Sequence, residues 1–370
     1  MSQQPAAVSE QLDAAAVFPA GAGSAAVQLL DVRAPVEVDR CEIPSAISRP
    51  ILTDEERHAV GTCYRQRGQE AALRLGLELT APHRDVRVAA WRDAVAAAAG
   101  PCAFACWRGG QRSRIAQEWL ADANVPRVSG GTKALRRFLL DRLEAHFSRT
   151  EAVVISGLTG CGKTELLHAL DKSAPSDVLG LDLEGLANHR GSAFGGLPGG
   201  QPAQQTFENR LAATMQLAAP RMTLLEDEAR NVGRLELPMY VWQTTKQSPV
   251  VMLEATLDER IARIAREYVF EPTLAQGREV VRAGLEDSLR KLAKRLGGVR
   301  HEQCLKALEY ADHEDRWHAV DAHAPWIEPL LTHYYDRFYD SAILRLARPV
   351  AFRGCAEEVL GWFEQRGFQL

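Results

Sequence analysis

Residues 105–112 read ACWRGGQR. A cysteine attacks only as its thiolate, the form that surrounding backbone N–H groups and guanidinium charge favour. The stretch therefore has the composition of a nucleophile cradle. Cys106 is the candidate attacking group, at the head of a loop made of Arg108, Gly109, Gly110, Gln111 and Arg112. Further along, residues 157–164 read GLTGCGKT and satisfy G-x-x-x-x-G-K-[ST]. Glycines at Gly157, Gly160 and Gly162 let the backbone curl so that its N–H groups converge on phosphate oxygens, while a following helix presents its positive end. Lys163 is placed for the terminal phosphates and Thr164 for a magnesium ion.

Other chemistry-bearing residues lie downstream. MTLLEDEAR ends a hydrophobic run in Glu226, Asp227 and Glu228. Acids at the end of such a strand hold a metal or its waters in phosphate-loop folds, so Glu226 and Asp227 are candidates, against the plainer reading of a solvated turn. Arg260, Arg263 and Arg266 stud the next helical stretch, either reaching phosphate or pairing with Asp258, Glu259 or Glu267. In LRKLAKRLGGVR, Arg290 with Lys294 and Lys291 with Arg295 stand four apart, a basic helix stripe suited to RNA phosphates or simply to solvent. His189 and Arg190 adjoin a glycine-rich segment and are candidates for substrate contact. Tyr334, Tyr335, Phe338 and Tyr339 have the spacing of a buried helix face, with base stacking as the functional alternative.

The elements that must position these groups follow from pattern. VQLLDV (27–32) and CAFACW (102–107) are short apolar runs bounded by turn residues, hence buried strands, and the second delivers Cys106 to its loop. Helical spacing is expected over 53–79, 86–98, 113–121 and 133–147, with Trp91 and Val95, then Ile115 and Trp119, on common faces. Strand, loop and helix in that order form the unit of a parallel α/β sheet. EAVVIS before the phosphate loop and ELLHAL after it begin a second such pattern, continued by strands near 177–183, 222–226 and 249–254. From Leu257 onward the chain reads as mostly helical, and GGLPGGQPAQQ (195–205) as a mobile loop. The expected fold is therefore α/β, with a first parallel-sheet domain over 1–147 and a phosphate-loop α/β domain with a helical C-terminal region over 148–370.

Composition sets limits. A chain of 370 residues exceeds what one core normally serves. The net charge of −4 gives no long-range pull on nucleic acid, so any such partner must meet a local basic surface. Seven scattered cysteines, with no CxxC pair, argue against a disulfide framework and a structural metal. No stretch of about eighteen uninterrupted apolar residues exists to span a membrane, and a reducing cytoplasm is the expected setting. Cys102, Cys304 and Cys355 are expected to be small buried hydrophobes. Cys161 occupies a variable loop position with no chemistry of its own, and Cys63 either resolves a persulfide or packs.

DVRAPVEV (31–38), ACWRGGQRS and VPRVSGGTKAL (125–135) together resemble a rhodanese domain. That likeness implies that Cys106 carries sulfur or selenium as a persulfide or selenopersulfide, with residues 108–112 as the anion cradle. CEIPSA (41–46) departs from the Gly-His pair that often precedes Ile-Pro there, which leaves Cys41 without a role. VGTCYRQRGQEAA (60–72), DLEGLANHRGSAFG (182–195), EDEARNVG (226–233), KRLGG (294–298) and HYYDRFYD (333–340) extend the likeness. Nearly the whole chain resembles the bacterial tRNA 2-selenouridine synthase family.

The resemblance implies exchange of sulfur for selenium in wobble 2-thiouridine of the tRNAs for Lys, Glu and Gln. Geranyl diphosphate and selenophosphate would be co-substrates, and an S-geranylated uridine the intermediate. No tightly bound cofactor is expected beyond Mg2+ as a candidate ion. A monomer is expected, with a selenophosphate-supplying enzyme as a candidate partner. Taken without the resemblance, the two motifs leave two other readings open. One is a rhodanese-type sulfurtransferase with a nucleotide-regulated phosphate-loop domain; the other is a persulfide carrier that serves partner proteins.

Overall fold

The computed structural model describes residues 11–19, 27–313, 316–337 and 348–368. They divide into two compact units, one drawn from 1–148 with 202–219 and the other from 149–201 with 220–370. Among the described residues, no helix is long and apolar enough to cross a membrane.

The first unit is built on five parallel strands: β1 (Gln11–Leu12), β2 (Gln28–Asp31), β3 (Ile47–Ser48), β4 (Cys102–Ala105) and β5 (Arg127–Val128). Their order across the sheet is β1-β5-β4-β2-β3. Every residue of β4 is buried, as the short run CAFA requires of a strand covered on both faces. In register, Gln28 to Asp31 pair with Cys102 to Ala105, so Asp31 and Ala105 end side by side and Cys106 leaves from the strands' C-terminal edge. That edge is where open α/β sheets bind ligands. Trp91, on helix Arg84–Ala97, fixes one face: its ring meets Phe104 at 5.4 Å and Trp119 at 6.0 Å, and its N–H bonds the Arg49 carbonyl.

Helix Gln204–Ala218 packs within this unit although its neighbours in sequence belong to the second. Phe207, Leu211, Ala212 and Met215 are buried, and Arg136, on helix Gly131–Phe147, bonds Asn209 at 2.8 Å. The same helix anchors the 41–46 stretch: Thr206 accepts from the Glu42 N–H and Asn209 donates to the Glu42 carbonyl. Cys41 is buried and its sulfur accepts from Asn209, a structural setting.

The expected helix over 53–79 is present as Asp54–Thr80 with one break. Gly68, at φ +82° and ψ −178°, takes a backbone conformation closed to other residues and turns the segment into a hairpin of two helices. Their apposition is close enough that a Cβ at Gly76 would lie 3.6 Å from Val60. Thr53 and Glu56 cap the first helix reciprocally.

The second unit has five parallel strands in the order β12-β11-β6-β8-β7, from β6 (Glu151–Ser156), β7 (Val178–Leu181), β8 (Met222–Glu226), β11 (Val250–Leu253) and β12 (Val350–Gly354). Between β8 and β11 a hairpin of β9 (Asn231–Val232) and β10 (Leu235–Glu236) folds back. A helical region from Leu257 to Tyr335 encloses its own core of Leu285, Leu289, Trp317, Trp326 and Leu330.

Two expectations need correction here. Cys355 is exposed, because it sits at the N-cap of helix Ala356–Gln365, where Glu358 accepts its N–H. The basic stripe does not ride one helix: Arg278–Lys291 ends before Leu292, and Ala293–Leu296 follows as a separate turn.

Candidate active site: a cysteine loop and a phosphate loop

Cys106 follows β4 directly, and the loop ends where helix Gln111–Trp119 begins. The sulfur lies 3.3 Å from Ser113 Oγ, which in turn donates to the Gly110 carbonyl, so the first helical turn closes over the cysteine. The far wall is the Gly130–Gly131 turn. Thr132 and Lys133 donate their N–H groups to the carbonyls of Cys106 and Trp107. A Cβ at Gly131 would sit 1.9 Å from the Cys106 carbonyl, so no larger residue fits there. Arg127 donates to the Gly109 carbonyl at 3.0 Å.

The arginines of this loop differ. Arg108 is exposed, whereas Arg112 is held by both oxygens of Glu37, one of the bonds at 3.0 Å. Burial alone would lower the Arg112 pKa, but the bond and charge of Glu37, with nearby Cys106, carry it above its ordinary value. Burial would likewise raise the Glu37 carboxyl, yet Arg112 outweighs it and holds it below the usual range. Glu37 sits on helix Pro35–Arg40, fixed by the fully buried Asp31–Arg33 ion pair at the end of β2. DVRAPVE is thus a frame that aims Arg112. Gln111 lines the neighbouring cleft, and its buried Oε1 has no hydrogen-bond partner among the described residues.

The phosphate loop runs from β6 to helix Lys163–Ser173, with Gly157, Gly160 and Gly162 all at positive φ. Lys163 Nζ donates to the Gly157 carbonyl at 3.1 Å. Thr164 donates to Glu226 Oε1 at 2.5 Å, while the buried Glu226 Oε2 has no partner among the described residues. Burial, with the charge of Glu184, pushes the Glu226 pKa up to about 8. Asp227 points elsewhere, tied to Lys246 at 3.0 Å, Arg348 at 2.6 Å and Ser156 at 2.5 Å; those partners hold it ionised against its burial. The structure therefore brings only Glu226, of the expected pair, to Thr164.

A cavity of about 400 Å³ opens over Lys163 and Thr164. Glu184 and Glu228 line it and converge on Gly191; burial raises both carboxyls, helped by the charge of Glu228 at Glu184 and by that of Glu226 at Glu228. Arg190 lines the same cavity, its guanidinium 5.1 Å over the Tyr268 ring and bonded to the Glu267 carbonyl. His189 packs instead beneath Gly233, and burial lowers its pKa. Arg260 and Arg263 donate to the carbonyls of Thr159 and Gly160 at 2.8 Å, and pair with Asp336 and Glu165. Arg266 pairs with Glu165 and, more loosely, with Glu267 and Glu271.

Of the basic stripe, Arg290 pairs with Glu286 and Lys291 with Asp287, Lys294 is exposed, and Arg295 bonds the Tyr334 hydroxyl at 2.6 Å. Tyr334 is core and Tyr335 lines the cavity, while Phe338 and Tyr339 lie outside the described residues. Pattern reading did not single out Glu37, Ser113, Gly131 or Glu184. Only the doubled glycine of VSGGTK carried a local signal, because the others act through contacts remote in sequence.

These features carry names in known proteins. The tRNA 2-selenouridine synthase AAA domain matches residues 150–369. The chain belongs to the tRNA 2-selenouridine synthase family. It is 43% identical over 357 residues to a tRNA 2-selenouridine synthase of Pseudomonas aeruginosa (strain LESB58), covering 92% of this chain and 94% of that one. To the tRNA 2-selenouridine synthase of Bordetella bronchiseptica it is 42% identical over 356 residues, with 92% and 94% covered. The α/β architecture of two parallel sheets with a helical C-terminal region agrees with the family assignment.

Proposed function

We propose that the protein replaces sulfur by selenium in wobble 2-thiouridine of the tRNAs for Lys, Glu and Gln, in two steps. In the first, the 2-thiouridine sulfur attacks C1 of geranyl diphosphate. The C–S bond forms, the C1–O bond breaks, diphosphate leaves and N3 gives up its proton. In the second, S-geranyl-2-thiouridine, selenophosphate and water yield 2-selenouridine, geranylthiol and phosphate. Sulfur attached to C2 of a pyrimidine leaves poorly by itself, whereas the alkylated sulfur departs as a neutral thiol.

The observation that carries this reading is the joining of a cysteine loop and a phosphate loop in one chain related along more than nine-tenths of its length to tRNA 2-selenouridine synthases. The phosphate loop is assigned to the first step: Lys163 and the N-terminus of helix Lys163–Ser173 receive the departing diphosphate. The apolar wall of Ile264, Tyr268 and Tyr335 beside that cavity supports a donor with a hydrocarbon end over a nucleotide. Thr164 and Glu226 suit Mg2+, since both offer hard oxygens and one Glu226 oxygen lacks a partner. The ion, when bound, would neutralise charge on the diphosphate. Cys106 is assigned to handling selenium in the second step, with Arg112 and the loop N–H groups holding the selenophosphate anion.

Nucleoside mass spectrometry on 2-thiouridine tRNA, first with geranyl diphosphate and then with selenophosphate, tests the reading. The expected result is the geranylated base followed by 2-selenouridine. Unchanged thiouridine under every condition would overturn it in favour of a rhodanese coupled to a nucleotide switch.

A further inference from the structure

Beside the cysteine loop lies a second cavity, of about 320 Å³, whose apolar walls the chemistry above does not use. Its walls are Ile51, Val60, Tyr64, Leu73, Leu77 and Ile115, drawn from the helical hairpin, the chain before it and the helix after Cys106. The hairpin is poorly buried for so apolar a surface. Across its 27 residues only Cys63, Ala72 and Thr80 are buried. Tyr64 is 57% and Leu77 42% exposed at the cleft itself. Apolar area left in water beside a concave, ligand-sized space marks a binding site more often than a packing defect.

The lining is not wholly apolar. Arg112 and Gln111 of the cysteine loop also line it, and the buried Gln111 Oε1 has no hydrogen-bond partner among the described residues. A ligand that suits the cleft is an amphiphile: a nucleoside head, whose ribose hydroxyl can donate to Gln111 at the cysteine loop, and a branched hydrocarbon tail along the hairpin.

We propose that this cleft binds the isoprenoid tail of the S-alkylated uridine, seating the modified base at the Cys106 loop for selenium transfer. The proposal rests on the two-step reading above and adds to it a recognition site for the intermediate. The tail, made of the carbon that leaves as thiol, then serves as a handle: its burial holds the base in place until the C2–S bond breaks. Unmodified 2-thiouridine has no such anchor, so the second step favours the alkylated base without reading its sequence context.

The test uses the full-length protein, selenophosphate and tRNA anticodon RNA carrying chemically installed S-geranyl- or S-methyl-2-thiouridine. Each buried methylene is worth about fourfold. The wild type should therefore select geranyl over methyl by on the order of a hundredfold or more in kcat/KM for selenation. Leu77→Trp fills the cleft and Tyr64→Asp charges its rim. Both positions are solvent-accessible enough to accept the change, and each variant should cut the geranyl-to-methyl ratio at least tenfold. Leu274→Trp, at a leucine 86% exposed in the second unit, should leave the ratio as it is. Equal wild-type rates on the two RNAs, or cleft variants that keep the full ratio, would overturn the tail site alone. Failure of the wild type to selenate either alkylated RNA would refute the two-step reading and the tail site together.

Discussion

The two loops share a plan, a glycine-rich turn between a buried parallel strand and a helix, yet their surroundings are opposite in charge. At the cysteine loop the charges are settled: Arg112 has its carboxylate in Glu37, and Asp31 has Arg33. At the phosphate loop Glu184, Glu226 and Glu228 crowd Lys163, and all three carboxyls are pushed upward. The first loop is pre-organised, its Arg112 held in one orientation by Glu37. The second holds carboxyl groups whose pKa values burial raises, a balance that a cation or a change of pH can alter. A Gly-rich turn therefore does not define a site; the groups that reach it from elsewhere in the chain do.

The largest expected effect separates the loops by step. Cys106→Ala should reduce 2-selenouridine formation more than a thousandfold while geranylated base accumulates at the wild-type rate. Lys163→Ala should do the reverse. Loss of a charge-stabilising donor costs about 10²–10³-fold in the step it serves. Geranylation should fall by that much, and RNA supplied already geranylated should still be selenated. Parallel loss of both steps in either variant, read by nucleoside mass spectrometry, would mean that one site does all the chemistry.

Both loops and the strands that lead into them were legible in sequence, and for identifiable reasons. A cysteine after a four-residue buried strand, and a glycine-rich loop between strand and helix, are local patterns; β4 and β6 fall where CAFACW and EAVVIS place them. What pattern could not supply came from contacts distant along the chain. Glu37 meets Arg112 across 75 positions, and Arg136 meets Asn209 across 73. Helix Gln204–Ala218 looks like any helix of an alternating α/β run, and nothing local says that it packs with residues before 149. Gly68 breaks a helix whose flanking residues are all good helix formers, so the hairpin, and with it the cleft, could not be anticipated from periodicity.

A smaller effect sharpens the claim that the first loop is pre-organised. Glu37→Gln keeps the shape but removes the charge that holds Arg112. The guanidinium is then partly buried without its counter-ion, at a cost of about 1–3 kcal/mol in stability. Selenation should fall roughly tenfold, mainly through KM for selenophosphate, because charge-assisted bidentate bonds fix geometry as well as energy. An unchanged KM would show that Arg112 needs no aiming.

The smallest effect is one of sign. Glu226, ordinarily near 4.5, is pushed to about 8 by burial and the charge of Glu184, so between those values the native state binds more protons than the unfolded chain. Stability of the second unit should therefore fall as pH rises through that window and level off above it. Glu37 is shifted the other way, below 4.5, so its contribution is present above that value and is lost as pH falls through its lowered pKa. Amide hydrogen exchange in the full-length protein reads the two units separately, through β4 for the first and β8 for the second. Protection of β8 should weaken from pH 5 to 8 while that of β4 is unaffected by Glu37 over the same range. Glu226→Gln should flatten the β8 slope by its share and leave the rest to Glu184 and Glu228, whose carboxyls are raised as well. A β8 slope unchanged by Glu226→Gln would mean that Glu226 is already ionised at neutral pH, with a cation in place beside Thr164.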